Sequence, residues 1–272
     1  MAITAADVNK LRQQTGAGMM DCKNALVEAN GDFEAAIDIL RKKGQKIAAK
    51  RGGNDAKEGV ILAQATADGT AGVILTLNCE TDFVAKNDGY VSLVQSLVDI
   101  ALTNLPESVE ALKALPYDSR LSVDEKITEQ IGVIGEKLDL SGYAVVRAAN
   151  VVAYNHPGNQ LATLVGLTIA GEEVAEAGRQ VAMQVAAMAP IAINKDGVDE
   201  RTIEREIEIG KELAIQEGKP ADMAEKIAMG RLNKFFQENT LLSQAFVRDN
   251  KMSVEQFLNS TASGLTVSDF QR

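Results

Sequence analysis

The stretch VILAQATADGTAGVILTLN, from Val60 to Asn78, decides the fold of this chain of 272 residues. Two apolar runs rich in Val, Ile and Leu flank the sequence DGT, and runs of this kind joined by Asp-Gly form β-hairpins. A helical pattern from about Asp88 to Leu102 follows the second run. The stretch therefore predicts a unit of strand, turn, strand and helix.

The same order of elements recurs further along the chain. RAANVVAY (147–154), the turn NHPGN and QLATLVGLTI (160–169) precede a second helical pattern, from Glu172 to Ala189. The two copies share a pattern and not an identical sequence. Two antiparallel hairpins, each covered by helices on one side, predict an α+β fold.

Three short helices are predicted before the first copy. One follows a cap formed by Thr4 and Asp7, the next ends at Gly31, and the third, capped by Asp32, ends at Gly44. Their apolar residues recur at helical spacing, namely Met19, Cys22, Leu26, Phe33, Ile37 and Leu40. A bundle this small is marginally stable alone, which favours a docking module. The segment AAKRGGNDAKEG that follows has the composition of a mobile linker.

Helices are also predicted between and after the copies. The helical segment between them is broken at Pro116, and two helices joined by EGKP (217–220) follow Pro190. Apolar residues align along each of these two helices, with Glu and Arg outside the stripe: Ile203, Ile207 and Leu213 on one, and Ile227 and Leu232 on the other. This is the pattern of an antiparallel helical hairpin, which we expect to project because no strand flanks it. The chain then continues with an extended apolar piece and a short helix capped at Ser253.

These patterns predict a division of the chain into consecutive parts. The parts are a three-helix module at 1–45, a linker at 46–58, a first core subdomain at 59–145, the first part of a second core subdomain at 146–190, the helical hairpin at 191–238, and the completion of the second core subdomain with a C-terminal module at 239–272.

Charge and composition favour a protein partner in the cytoplasm. The net charge of −10 disfavours direct binding of nucleic acid, and the basic cluster 41–51 lies at a predicted helix C-terminus, where cations are favourable. No apolar run approaches the roughly 18 residues of a membrane span. The N-terminus MAITAADVNK lacks the features of a secretory signal. Cys22 and Cys79 match no metal spacing, so we expect reduced thiols.

The sequence shows no pattern typical of an active site. It contains no phosphate-binding loop, and TGAGMMDC lacks the third glycine of one. The single histidine, His156, lies in a predicted turn, and neither cysteine has a neighbouring histidine as a base. We therefore expect a binding protein with no catalytic residues, no cofactor and no metal site.

The junction NCETDFVAKND, from Asn78 to Asp88, is longer than its counterpart in the second copy. Nine residues, from Cys79 to Asn87, separate strand and helix, whereas the second copy needs only a few. Folding of the unit therefore does not require this insertion. Two interpretations remain open: Phe83 tucks back onto the hairpin over a turn capped by Thr81 or Asp82, or it protrudes as an anchor with Asp82 as a hydrogen-bond acceptor.

Two long segments, LRQQTGAGMMDCKNAL (11–26) and LNCETDFVAKN (77–87), resemble the signature segments of the bacterial elongation factor Ts family. The resemblance continues in the family's order through YNHPG, MQVAAMAP, GKPADMAEKIAMGRLNKFF and LLSQAFVRD, and so covers nearly the whole chain. It implies a guanine-nucleotide exchange factor for the GTPase elongation factor Tu. It also implies an N-terminal module similar to a ubiquitin-associated domain, two α+β core subdomains, a projecting helical hairpin and a C-terminal module.

The resemblance implies two groups of contact residues. The segment that disturbs the partner's magnesium and phosphate site consists of Thr81, Asp82, Phe83 and Val84. The residues that dock on the partner are Arg12, Met19, Met20 and His156. Pro157 and Gln160 depart from the residues that the family usually has in the turn of His156. The alternative function is a scaffold that self-associates through the helical hairpin, and a homodimer within a larger complex is compatible with either function.

Overall fold

The computed structural model describes the backbone of residues 3–272 and the side chains of residues 3–220 and 223–272. The helices are α1 Ala5–Thr15, α2 Met19–Glu28, α3 Phe33–Arg51, α4 Asp82–Ala85, α5 Asp88–Asn104, α6 Val109–Ala114, α7 Val123–Ile134, α8 Glu172–Met188, α9 Glu200–Gln216, α10 Ala221–Asn239 and α11 Val254–Thr261. The strands are β1 Glu58–Ala65, β2 Ala71–Cys79, β3 Asp139–Arg147, β4 Asn150–Asn155, β5 Ala162–Leu167, β6 Ala245–Phe246, β7 Asp249–Ser253 and β8 Val267–Gln271.

The chain divides into two compact units, each made of separate segments. The first contains the chain up to Leu62 together with residues 75–144 and 158–160. The second contains residues 63–74, 145–157 and 161–272. Helices combined with small sheets confirm the predicted α+β class.

Each of the two predicted hairpins gains a third strand. The sheets have the orders β1-β2-β3 and β4-β5-β8. In the second sheet β4 and β5 are antiparallel with Asn150 opposite Leu167, and β8 pairs antiparallel with β5. The central strands carry the longest buried runs, and all of β5 is buried. The sequence analysis missed β3 and β8 because their residues are mostly half-buried or exposed and show no clear alternation.

The helices that follow the two hairpins end in the same way. Both α5 and α8 have 17 residues, and each ends at a non-glycine residue in the left-handed region, Leu105 and Ala189, both with φ 44°. A proline follows each of them, and proline cannot continue a helix. The internal repeat is therefore confirmed at the level of helix length and termination, where the sequences themselves differ.

The core of the second unit lies between its sheet and the helices α8 and α11. It includes Val165 and Leu167 of β5, Val181 and Val185 of α8, and Leu258 of α11, all less than 1% exposed. Helix α8 lies close on the sheet, since a Cβ on Gly178 would be 2.7 Å from side-chain atoms of Leu167 and Val152.

The three N-terminal helices have a core of their own. Of the predicted apolar positions, Cys22, Leu26 and Ile37 are buried, and Phe33 and Leu40 pack against them partly exposed. Met19, in contrast, faces solvent. Thr4 forms the predicted cap of α1, with Asp7 completing a reciprocal pair of hydrogen bonds. The three-helix module is therefore present, with one methionine of the stripe outside its core.

The prediction that the third helix ends at Gly44 is wrong. Helix α3 continues to Arg51, so the first residues of the predicted linker 46–58 are helical. Gly44 is the site where α3 crosses α7, because a Cβ on Gly132 would lie 2.7 Å from the Cα of Gly44. The glycine serves close helix packing, which a single sequence does not distinguish from helix termination.

Helices α9 and α10 form the predicted antiparallel hairpin. The ion pairs Lys211–Glu225 at 3.5 Å and Arg231–Glu217 at 2.7 Å join them. The buried seam consists of small residues and one leucine, namely Gly210, Ala214, Ala224, Ala228 and Leu232. Of the predicted stripe, Leu232 is buried and Ile203, Ile207 and Ile227 are half-buried, whereas the prediction is wrong for Leu213, which is exposed. Gly210 and Ala214 occupy the seam beside Leu213, and a Cβ on Gly210 would lie only 3.0 Å from the Cα of Ala228.

The break at Pro116 and the helix cap at Ser253 are both present. Helices α6 and α7 lie on either side of Pro116, and Ser253 caps α11 as predicted. Cys22 and Cys79 are free and buried.

Across the described residues, no group of three or more His, Cys, Asp and Glu side chains is placed to hold a metal ion. No helix in the described part of the chain combines the length and apolarity needed to cross a membrane.

Candidate functional site

The insertion in the first copy contains a helical turn of its own. Residues 80–87 separate β2 from α5, whereas residues 168–171 separate β5 from α8 in the second copy. Within the insertion, α4 spans only Asp82–Ala85, with Thr81 at its N-cap. Asn87 then caps α5 by accepting hydrogen bonds from the N–H groups of Gly89 and Tyr90.

Phe83 points into solvent from this short helix. It is 84% exposed, the largest exposed fraction among the large apolar residues that the structure describes. Ala85, two residues later, is buried, and Val84 is half-buried. The interpretation in which Phe83 tucks onto the hairpin is therefore wrong, and the protruding arrangement is the one present. The apolar surface of a ring this exposed is removed from water only when another surface covers the ring.

Asp82 already has a partner within α4. Its Oδ2 accepts a hydrogen bond from Lys86 Nζ at 2.6 Å, one helical turn along the chain. That contact lowers the pKa of Asp82 and raises the pKa of Lys86. Both side chains are well exposed, so the pair adds little to stability. Asp82 therefore stays ionised and available as an acceptor at neutral pH.

Glu136, in the connection between α7 and β3, binds the start of α4. Its Oε2 accepts hydrogen bonds from the backbone N–H of Glu80 at 3.1 Å and of Thr81 at 3.0 Å. Its Oε1 accepts from the Thr81 hydroxyl at 2.7 Å. Thr81 makes no side-chain cap hydrogen bond to α4, and its hydroxyl donates instead to this carboxylate distant in sequence.

Glu80 makes the reverse contact towards the same connection. Its carboxylate accepts a hydrogen bond from the backbone N–H of Lys137 at 2.6 Å, and this bond is the main reason its pKa lies below the ordinary value. Arg51 Nη1 donates to both carboxylate oxygens at 3.0 and 2.9 Å, and Asn54 Nδ2 donates at 3.0 Å. The end of α3 and the segment after it are thereby bound to the insertion.

Two buried side chains donate hydrogen bonds to backbone carbonyls at or just after the end of β2. Cys79 Sγ donates to the carbonyl of Thr81 at 3.2 Å, and the Tyr90 hydroxyl donates to the carbonyl of Leu77 at 2.9 Å. Burial raises the pKa of both Cys79 and Tyr90. Both groups are therefore protonated at neutral pH, and Cys79 is packing rather than a reactive thiol.

The N-terminal module carries a second exposed apolar area. Met19 and Met20, at the start of α2, are 53% and 62% exposed. With Ile3, Ala5 and Val8 they line a groove of about 380 Å³. Val27 is also exposed and lies two turns along α2 from Met20, so it extends this area. Arg12 is exposed on α1, outside the groove.

His156 lies in the turn after β4, as predicted. The ring is exposed, and its Nδ1 lies 2.8 Å from the hydroxyl of Tyr154. The backbone N–H of His156 donates to the carbonyl of Leu161 at 2.8 Å, which closes the turn. His156 belongs to the second unit, whereas α4 and the module of Met19 and Met20 belong to the first.

Sequence reasoning missed the residues that hold α4. Glu80 lies in the insertion, but no local pattern indicates its role because its partners are distant in sequence. Glu136 lies 55 residues from Thr81, and Arg51 lies 29 residues from Glu80. The sequence offers only a weak signal for these contacts: a long insertion at 79–87, and Gly-Glu-Lys (135–137) directly after a predicted helix.

Comparison with known proteins identifies the family. The family model described as "Elongation factor TS" matches residues 80–272, which is more than half of the chain. The chain belongs to the elongation factor Ts family. The match begins at Glu80 and so includes α4 and its exposed phenylalanine.

Curated elongation factor Ts proteins match over nearly their whole length. The protein of Amoebophilus asiaticus is 56% identical, with 100% of this chain and 98% of the relative covered. That of Christiangramia forsetii is 52% identical, with 99% and 97% covered. The elongation factor Ts of Chloroherpeton thalassium is 43% identical, with 97% and 93% covered. These alignments extend the elongation factor Ts similarity over the N-terminal module.

Proposed function

We propose that this chain is a guanine-nucleotide exchange factor that binds elongation factor Tu in its GDP form and promotes release of GDP. Membership in the elongation factor Ts family makes it a translation elongation factor, and the exchange role follows from that family. The observation that carries the proposed mechanism is the 84% exposure of Phe83 on a helical turn fixed at its backbone. As a translation elongation factor, the chain is expected in the cytoplasm.

Phe83 acts in this proposal as a wedge. The nucleotide and Mg²⁺ are held in such a GTPase by charge-assisted contacts to the phosphates, which depend on well-placed side chains. A ring that enters between partner side chains moves them and weakens those contacts. Thr81, Asp82 and Val84 complete the inserted segment. Asp82 accepts a hydrogen bond from a donor of the partner, and it is not a ligand of the magnesium ion.

Exchange requires that the factor weakens the binding of nucleotide to the GTPase, and that the nucleotide weakens the binding of the factor. If the factor reduces nucleotide binding by about 4 kcal/mol, the nucleotide reduces factor binding by the same amount, roughly a thousandfold. A broad interface must therefore supply affinity apart from Phe83. The groove of Met19 and Met20 and the exposed Arg12 supply part of this affinity, and His156 contacts the partner near its phosphate-binding loop.

A scaffold that self-associates through α9 and α10 is the second candidate function. Its support is a set of exposed apolar residues on the hairpin, namely Ile209, Leu213, Ile215, Met223 and Met229. Self-association could accompany exchange, so the oligomeric state alone does not separate the two functions. The response of the complex to nucleotide does separate them.

A competition experiment tests the proposed function. Immobilised chain is loaded with nucleotide-free elongation factor Tu, and GDP with Mg²⁺ is then added in excess. An exchange factor is displaced, because nucleotide and factor destabilise each other in the ternary complex. A complex that survives saturating GDP unchanged contradicts the proposal and favours the scaffold.

The docking surface is tested by substitution rather than deletion. Removing residues 1–45 would cut α3 within the helix and uncover the face of α7 that packs on it. Met20→Ser leaves the core intact because Met20 is exposed, and it should weaken binding to nucleotide-free elongation factor Tu. The matched control is Met229→Ser on the hairpin, where the methionine is similarly exposed. Equal affinities for Met20→Ser and wild type would contradict docking through the groove.

A further inference from the structure

We propose that Glu136 is a positioning residue for exchange, which holds α4 so that Phe83 presents its ring to the partner. This inference rests on the proposed function, because it assigns Glu136 an effect on exchange through Phe83. We call the reciprocal contacts of Glu136 and Glu80 the carboxylate clasp. The side chains of Glu136 and Glu80 do not touch the partner in this proposal, and the effect of the clasp is on the direction and mobility of Phe83.

Helix α4 needs support from outside its own sequence. A single helical turn is unstable in isolation, since the first turn fixes several backbone angles for one hydrogen bond. Phe83 cannot anchor the turn, because its ring is in solvent. The contacts that fix it include the buried Ala85, the hydrogen bond from Cys79 Sγ to the Thr81 carbonyl, and the backbone contacts at Glu80 and Thr81.

Glu136 fixes the two residues directly before α4 with a single carboxylate. It accepts three hydrogen bonds from Glu80 and Thr81, and a negative charge before a helix N-terminus is favourable. Lys137, the next residue, returns a backbone hydrogen bond to Glu80. Two neighbouring residues on one segment therefore exchange hydrogen bonds with two neighbouring residues on the other, and neither segment can rotate without breaking several bonds.

The segments that form the clasp are themselves fixed by helix packing. Helix α7 ends at Ile134, and its C-cap residue Gly135 has φ 80° and directs the chain to Glu136. Helix α3 ends at Arg51, which binds Glu80. These two helices cross at Gly44 and Gly132, where their backbones touch. The clasp thus ties α4 to α3, the third helix of the docking module, inside the first unit.

The second copy shows that the clasp serves the insertion and not the fold of the repeat. Helix α8 begins at Glu172 directly after Gly171, with no side-chain hydrogen bond at its cap. The same hairpin and covering helix therefore form without a carboxylate in this place. The difference between the copies is the insertion that carries Phe83, and the clasp contacts that insertion.

A tryptophan probe at position 83 measures how far the clasp restricts the motion of α4. The chain has no tryptophan, so Phe83→Trp supplies a single fluorophore at the exposed position. Glu136→Ala in this background should lower the fluorescence anisotropy of the indole, because α4 gains local freedom. Glu110→Ala, an exposed helical glutamate of α6, is the matched control and should leave the anisotropy unchanged. Glu136→Gln retains one acceptor oxygen and should give an intermediate value. Equal anisotropy for Glu136→Ala and the control would overturn the inference.

Exchange kinetics show whether the clasp acts through Phe83. Release of a fluorescent GDP analogue is followed against factor concentration. Glu136→Ala should lower the maximal release rate about tenfold, close to the lower end of the range expected for hydrogen bonds to a charged group, with little change in the half-saturating concentration. In the Phe83→Ala background the same substitution should change the rate by less than about twofold. Equal effects in both backgrounds, or a change in the half-saturating concentration alone, would overturn the inference. Reduced anisotropy with normal exchange by Phe83→Ala would instead overturn the proposed function while supporting the clasp as a structural feature.

Discussion

In α4, the atoms that are exposed and the atoms that hold the helix in place are different. The ring of Phe83 is in solvent, while the backbone before it is held by Glu136 and the methyl group of Ala85 is buried. The sequence identified the insertion and the unusual aromatic residue within it. It could not decide whether Phe83 tucks in or protrudes, because the direction of the ring depends on a carboxylate 55 residues away from Thr81.

Asp82 permits a test with its own partner as the control. If Asp82 accepts a hydrogen bond from elongation factor Tu, Asp82→Asn should slow GDP release, while the unfolding free energy changes by less than about 0.5 kcal/mol. Lys86→Gln removes the same intrahelical ion pair but leaves the carboxylate. Measured release rates that are equally reduced in both variants would show that only the ion pair matters, and would contradict a partner contact by Asp82.

Helices and hairpins with strong local patterns were predictable, and elements defined by packing were not. The capped helices of the N-terminal module, the two hairpins and the α9–α10 pair follow from periodicity and cap residues. The true end of α3 and the seam of α9 and α10 depend on glycine and alanine at points of close approach, such as Gly44 and Gly210. A glycine in one sequence predicts a helix end and a helix crossing equally well.

Two helical glycines make this distinction measurable. Gly132→Ala in α7 should lower the unfolding free energy by about 1–3 kcal/mol, because the new Cβ meets the backbone of Gly44. Gly230→Ala in α10 is the matched control, since no atom lies within 4 Å of the new Cβ, and it should raise stability by roughly 0.5–1 kcal/mol. Urea unfolding measures both. A stabilising Gly132→Ala would contradict the close crossing of α3 and α7.

In each of the two three-stranded sheets, the third strand comes from a part of the chain that is distant in sequence from the hairpin. The third strand of the first sheet, β3, follows α5, α6 and α7, and that of the second, β8, follows the helices α8 to α11. Such pairings are set by tertiary structure and leave little trace in local alternation. The α+β class was predictable from the hairpins alone, whereas the completion of each sheet was not.

Stability should fall in acid because several carboxylates are hydrogen-bonded in the folded state. Glu125, in the capping box of α7, has a pKa below its ordinary value of 4.5, chiefly because it accepts a hydrogen bond from the backbone N–H of Ser122. A depressed pKa stabilises the fold above the unfolded value, and the contribution is lost as pH falls through the folded value. The difference in unfolding free energy between wild type and Glu125→Gln should therefore be full at pH 7 and shrink towards pH 3. A difference independent of pH would contradict this assignment.

The central claim, that Phe83 promotes nucleotide release, is tested most directly by one rate. Elongation factor Tu loaded with a fluorescent GDP analogue is mixed with excess unlabelled GDP and saturating wild type, Phe83→Ala or Ile215→Ala, the last a control with an exposed apolar residue on α9. We expect Phe83→Ala to release the analogue roughly thirtyfold more slowly, as for loss of an aromatic anchor worth ~2 kcal/mol, and Ile215→Ala to match wild type. Equal release rates for wild type and Phe83→Ala would contradict the account.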